Sequence, residues 1–228
     1  MTRNVAVIVG TGSGLSASLA RQLAARDMQL VLAARDTGKL KDLAGETGAE
    51  TVAMDASDPA QMAALFSDLP GRLSIAIYNP SARQRAPLVE LDPESVRTAI
   101  EVTAFGAFLM GQQAARLMLE NEGDVKGTIL FTGASAGVKG FAKSAPFAMG
   151  KFAQRGLAQS MARELHPQGI HVAWVNIDGA IGDAQPTAAD GDRRLDPDAI
   201  ATAYMALIDQ HRSTWSNELS LRPWVESF

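Results

Sequence analysis

Apolar residues fall into two alternating rhythms along this chain: short uninterrupted runs rich in Val and Ile, and longer stretches in which they return every three or four positions. The first run, Val5 to Val9, leads into a helical stretch from about Gly14 to Arg26. A run from Leu30, a helix near Lys39 to Ala44 and a run from Thr51 follow, then a helix at Asp58-Pro59, where a carboxylate cap precedes proline in the first helical position. Leu73 to Tyr78 is the fourth run, and a long helix opened by Asp92-Pro93 extends to about Leu119. Gly127 to Phe131, a helix from about Pro146 to Leu165, and Ile170 to Val175 come next; a helix from Pro197 and a strand near Glu218 to Leu221 close the series. Strands apolar on both faces and separated by helices predict a doubly wound α/β domain of Rossmann type, with about seven strands in a central parallel sheet. No repeat or linker-like stretch divides it, so residues 1–228 read as one domain.

Composition removes several kinds of chemistry. With Cys at 0, disulfides, thiol nucleophiles and Cys-ligated metals are excluded. The three histidines, His166, His171 and His211, lack the spacing of a helical metal site, and the carboxylates from Asp190 to Asp198 miss a calcium loop at Leu195 and Ala201. No metal is expected. The net charge of −4, with basic residues scattered, gives no footprint for nucleic acid. No stretch approaches the ~18 apolar residues of a membrane span, and the run before Gly10 is too short for a signal peptide, so the expectation is a soluble cytoplasmic protein with no membrane partner.

The first strand runs straight into Gly10-Thr11-Gly12-Ser13-Gly14 and then a helix. Glycines there permit a tight turn and a close backbone approach to a pyrophosphate, which the unpaired N–H groups of the helix then meet. Two registers fit: Gly12-x-Gly14-x-x-Ala17 is the ordinary dinucleotide fingerprint, and Gly10-x-x-x-Gly14-x-Ser16 resembles the turn of short-chain dehydrogenases/reductases. An S-adenosylmethionine site uses similar glycines, but usually with an acidic residue just before them, where this chain has Ile8 and Val9.

The sequence from Pro146 to Ile181 looks like the catalytic helix and sixth strand of the short-chain dehydrogenase/reductase family, and the resemblance extends over nearly the whole chain. It implies a dinucleotide held by Gly10, Gly12, Ser13, Gly14 and Leu15. Asp55 matches the family's adenine-contacting Asp, Asn79 the second Asn of its NNAG motif, Lys151 the Lys of its YxxxK, and Ile181 the residue whose backbone touches the nicotinamide amide. Arg35 stands where NADP users often have Arg, while Asp36 resembles both a helix cap and an NAD-selecting carboxylate; NADP is the expected cofactor and NAD the competing one.

Three departures set this chain apart from the family pattern. Where the family has its proton-donating Tyr, its carbonyl-polarising Ser and its water-holding Asn, this chain reads Phe147, Ala134 and Thr103. Ser135 stands next to Ala134 and would take the place of the family Ser if the loop slipped by one residue. Nothing replaces the phenol, so the usual acid–base route cannot run on Phe147. Lys151 keeps the role, implied by the resemblance, of holding the nicotinamide ribose, and with Ser135 it is the catalytic candidate.

The expected activity is therefore hydride transfer between NADP(H) and a small carbonyl or alcohol, with a non-standard proton donor. The alternative is a catalytically silent NADP-binding protein that acts as a redox sensor or interaction partner. Gly182 to Asp196 stands where the family's substrate lid lies, and names no substrate. Ala99, Phe108, Leu109, Leu157, Met161 and Leu165, on helices resembling those that pair subunits in the family, suggest a homodimer or homotetramer.

Overall fold

A computed structural model describes residues 3–182 and 193–225. Seven strands, β1 (Asn4–Val9), β2 (Gln29–Ala34), β3 (Glu50–Ala53), β4 (Arg72–Tyr78), β5 (Gly127–Thr132), β6 (Ile170–Ile177) and β7 (Glu218–Leu221), form one sheet in the order β3-β2-β1-β4-β5-β6-β7. Every pairing is parallel. Chain order reverses between β1 and β4, and the crevice for a ligand in such a sheet lies beyond the carboxyl ends of those two strands.

Strand alternation divides the core in two. Val5, Val7 and Val9 pack on one face, with Phe131, Trp174 and the helices α3 (Pro59–Ser67), α5 (Gly106–Leu119) and α6 (Ala145–Leu165). Ala6 and Ile8 face the opposite layer, with α1 (Leu15–Ala24), α2 (Lys41–Thr47) and α7 (Pro197–Ile208). The Asp caps read from the sequence form: the Asp58 carboxylate accepts from the Ala60 and Gln61 amides, and Asp92 caps α4 (Pro93–Ile100) through the Ser95 amide.

The long helix expected from Pro93 to Leu119 is interrupted. Between α4 and α5 lies one wide π turn, Glu101–Phe105. The Tyr78 hydroxyl donates to the Val102 carbonyl there, and a side chain at Gly106 would meet that hydroxyl and the Ala56 carbonyl. The turn thus fits around the buried phenol.

The expected pairing surface also needs correction. Ala99, Leu109 and Leu165 are buried within the chain, and Leu157 and Met161 pack against its own core. Of the six residues only Phe108 stays exposed, stacked on Phe105 at 6.2 Å, with Met149 and Phe152 exposed on α6. Among the described residues no helix is long and apolar enough to cross a membrane, and no group of His, Asp or Glu is arranged to hold a metal ion.

Candidate active site

Beyond β1 the chain turns at Gly10, whose φ of +80° lies in the left-handed region and whose Cβ, if present, would fall 2.5 Å from Pro80. Neither the conformation nor the space admits a side chain. The turn is pegged by the Gly10 and Thr11 amides, which donate to the Ala33 carbonyl at 2.9 and 3.0 Å, and by the Thr11 hydroxyl on the Ile8 carbonyl. Asn79 at the end of β4 adds its amide, donating to Ser16 Oγ at 2.6 Å and to the Gly10 carbonyl at 3.3 Å. Gly12 and Gly14 face open space, Ser13 is exposed, and no side chain caps α1. Leu15 is buried, so it can reach a ligand only through its backbone. An open glycine turn with uncapped helix amides fits a pyrophosphate.

The ends of β2 and β3 flank this turn. Asp36 is already engaged: its carboxylate accepts from the Gly38 amide at 3.1 Å and pairs with Lys39 at 3.3 Å. Arg35 is exposed and acts electrostatically on Asp55. The Asp55 carboxylate accepts from the Ser57 hydroxyl at 2.6 Å and the Ser57 amide at 2.8 Å, and these bonds, helped by Arg35, hold it below the usual carboxylate range.

Past the crevice lies a cavity of about 340 Å³, whose wall includes Asn79, Ser81, Arg83, Thr132, Ala134, Phe147, Lys151 and Ile181. Lys151 is 2% exposed, and its ammonium donates to the Thr132 carbonyl at 2.5 Å and to Gln154 Oε1 at 3.3 Å. Burial, with a smaller contribution from the Arg83 charge, pushes its pKa down to about 7. Gln154 is fully buried and bonded through both amide atoms: Oε1 also accepts from the Trp174 indole at 3.3 Å, and Nε2 donates to the Thr103 carbonyl at 3.2 Å. Gln154 thus ties α6 to the π turn. Phe147, 8% exposed, carries the Arg83 guanidinium over its ring at 4.8 Å.

The structure thus gathers Asn79, Lys151, Ile181, Phe147 and Ala134 around one cavity, with the glycine turn adjoining and Arg35 and Asp55 further along the sheet edge. Ser135 is a correction. Ala134 faces the cavity, while the Ser135 hydroxyl donates to Asp178, a carboxylate that also pairs with Arg222 through Nε at 2.9 Å. Tyr78 is buried beneath the π turn, where burial raises its pKa, and it is absent from the cavity wall. Arg83 was not legible in the sequence, because it sits in an irregular segment with no periodicity to orient it. Gln154 had a signal, since it lies three residues after Lys151 on the same helical face. Of the expected lid and loop carboxylates, residues 183–192 lie outside the described residues.

A solved short-chain dehydrogenase from Rhodopseudomonas palustris is 32% identical, with a TM-score of 0.85 over 97% of this chain and 99% of that one. A metagenomic short-chain oxidoreductase in complex with NADP is 26% identical, with a TM-score of 0.84 over 99% of each chain. L-2,3-butanediol dehydrogenase from Corynebacterium glutamicum is 29% identical over 189 residues, which are 78% of this chain and 72% of the relative. The family model for short chain dehydrogenase matches residues 4–185, and the chain belongs to that family of oxidoreductases.

Proposed function

We propose that this protein is an NADP(H)-dependent oxidoreductase acting on a small carbonyl or alcohol, with the Lys151 ammonium in place of a phenol as the proton carrier. The observation behind this reading is the state of Lys151: buried, on the wall of the cavity, and with a pKa pushed down to about 7. When bound, the dinucleotide supplies or accepts the hydride. Among the described wall residues, Lys151 is the group whose pKa burial brings near neutrality. In reduction the Lys151 ammonium gives a proton to the nascent alkoxide oxygen and is left as an amine, which solvent reprotonates. Oxidation runs the same transfer backwards.

The sign of the pH dependence follows from that role. Reduction needs the ammonium, so its kcat should fall as pH rises through about 7, and oxidation should rise over the same range. A steady-state pH profile in both directions measures it; a reduction rate flat from pH 6 to 9 would remove Lys151 from the proton path.

For the cofactor, the glycine turn, Asn79, Asp55 and the backbone at Ile181 would hold the common parts of the dinucleotide. Support for NADP over NAD comes from Asp36, whose carboxylate is spent on a cap and an ion pair, and from exposed Arg35 beside it, free to fork onto a 2′-phosphate. The NADP complex of the metagenomic relative agrees with this choice. Calorimetric titration should give tighter binding of NADPH than NADH, and Arg35→Ala should lose about 10- to 100-fold of that preference, as expected for a charge-assisted contact. Equal affinities in the parent would refute the assignment.

One observation favours the silent alternative, a dinucleotide-binding protein without turnover. Gln154 ties the Lys151 ammonium to the Thr103 carbonyl through side-chain atoms. Tight NADPH binding with no oxidation of it by any carbonyl would decide for that reading. Assembly into a homodimer or homotetramer, with Phe105, Phe108, Met149 and Phe152 among the exposed apolar residues, belongs to the proposal as well.

A further inference from the structure

Among the described residues the cavity wall is cationic and carries no counter-charge. Arg83 and Lys151 both line it, and none of the described lining residues is acidic. The Lys151 ammonium has three N–H donors, of which the Thr132 carbonyl and Gln154 take two, and neither partner is charged. Arg83 is exposed at the mouth, and its contact within the protein is the face of Phe147. Its fork of donors therefore lies beside the ring that stands where the resemblance implies a proton donor, against the atoms that react. Two cations held together repel each other, and this repulsion is one cause of the low Lys151 pKa, after burial. An anion seated between them relieves it.

We infer that the substrate is a small oxo or hydroxy acid, with its carboxylate on the Arg83 guanidinium and its reacting carbon one or two bonds away. The proximity fixes that spacing. A carboxylate forked onto a guanidinium has its carbon roughly 4 Å from Cζ, and Cζ itself lies 4.8 Å from the centroid of Phe147. A carbonyl one or two bonds from that carboxylate stays within reach of the cavity that Arg83, Phe147 and Lys151 line together, whereas a long spacer favours a position outside it. The reaction is then a 2-oxo or 3-oxo carboxylate plus NADPH and one proton giving the hydroxy carboxylate plus NADP+; the carbonyl carbon is reduced by two electrons and the dinucleotide oxidised by two. This inference rests on the proposed function for its redox step and on the cavity alone for its anion.

Binding separates the two. 2-Oxobutanoate, acetoacetate and their methyl esters are titrated calorimetrically into the full chain, with saturating NADP+ and without dinucleotide, and NADP+ is titrated alone. At least one acid should bind ten-fold or more tighter than its ester, and Arg83→Gln should lower that affinity 10- to 100-fold while leaving NADP+ affinity within three-fold. Arg83→Lys, which keeps the charge and loses the fork, should fall between. Circular dichroism melting of each variant confirms folding, and the acid-to-ester ratio in the parent decides independently of any variant. If each acid binds no better than its ester, or if NADP+ displaces the acid from the Arg83 site, the inference is overturned even though the cofactor reading stands. If NADP+ itself fails to bind while the acid still binds through Arg83, the cofactor reading fails and the anion site survives.

Discussion

Adding two hydroxyls should raise carbonyl reduction by about 10- to 100-fold, less than the 10²- to 10⁴-fold that a first positioned acid–base group contributes, because Lys151 already delivers a proton. The variant is Phe147→Tyr with Ala134→Ser. Both positions lie on the wall of the cavity, so both added oxygens enter space that a substrate shares. Phe147 stands one turn before Lys151 on α6, and a phenol there would meet the ammonium and the Arg83 guanidinium, each of which lowers its pKa towards working pH. A serine at 134 supplies the second donor to the carbonyl oxygen. Each single variant should give a smaller gain, and Ala134→Ser alone the smallest, because a hydroxyl that only polarises the carbonyl delivers no proton. The measurement is NADPH oxidation over a panel of aldehydes, ketones and 2-oxo acids, with parent, singles and double compared on one substrate. A parent that already works at an ordinary enzymatic rate, with a double variant no faster, would mean that Lys151 suffices. Other hydroxyls nearby are poorly placed to donate: Ser135 is turned onto Asp178, Tyr78 is sealed under the π turn, and Ser144 is absent from the cavity wall.

What the sequence revealed and what it hid divide along a physical line. Strands, helices and their order were legible because each is a local pattern: Val5 to Val9 alternates between two layers, and Asp58, Asp92 and Asp196 cap helices that proline then opens. The residues gathered at the cavity from β4, β5 and α6 were legible through motif spacing on those elements. The break at Glu101–Phe105 was not, because the group that bonds it, the Tyr78 hydroxyl, lies far off in the sequence. Arg83 was hidden for a similar reason, since an irregular segment has no period from which to read direction. The pairing residues were misjudged because a helical stripe shows only that a face is apolar. Leu157, Met161 and Leu165 face their own sheet, a distinction that depends on where neighbouring elements sit.

Lys151→Met should make the protein more stable at neutral and acid pH while abolishing reduction. In the parent the folded-state pKa of this group is depressed to about 7 from 10.5. Between those two values the unfolded chain holds a proton that the native chain has released, so stability rises with pH across that window. The penalty is complete below about pH 7 and disappears above about pH 10.5; at full size it is on the order of 5 kcal/mol. Methionine removes the charge but strips the Thr132 carbonyl and Gln154 of a donor, a loss of about 1 to 3 kcal/mol. The net gain at pH 6 to 7 is then on the order of 2 kcal/mol. Its pH dependence is the more discriminating quantity, because every other titrating group is common to both proteins. The difference in unfolding free energy between variant and parent should shrink by about 2 to 3 kcal/mol between pH 7 and pH 9, at about 1.4 kcal/mol for each pH unit. Urea titrations at pH 6, 7, 8 and 9 give that difference directly. A difference constant across the series would mean that Lys151 keeps its proton in the folded protein up to pH 9 and has no place as a donor that titrates near neutrality.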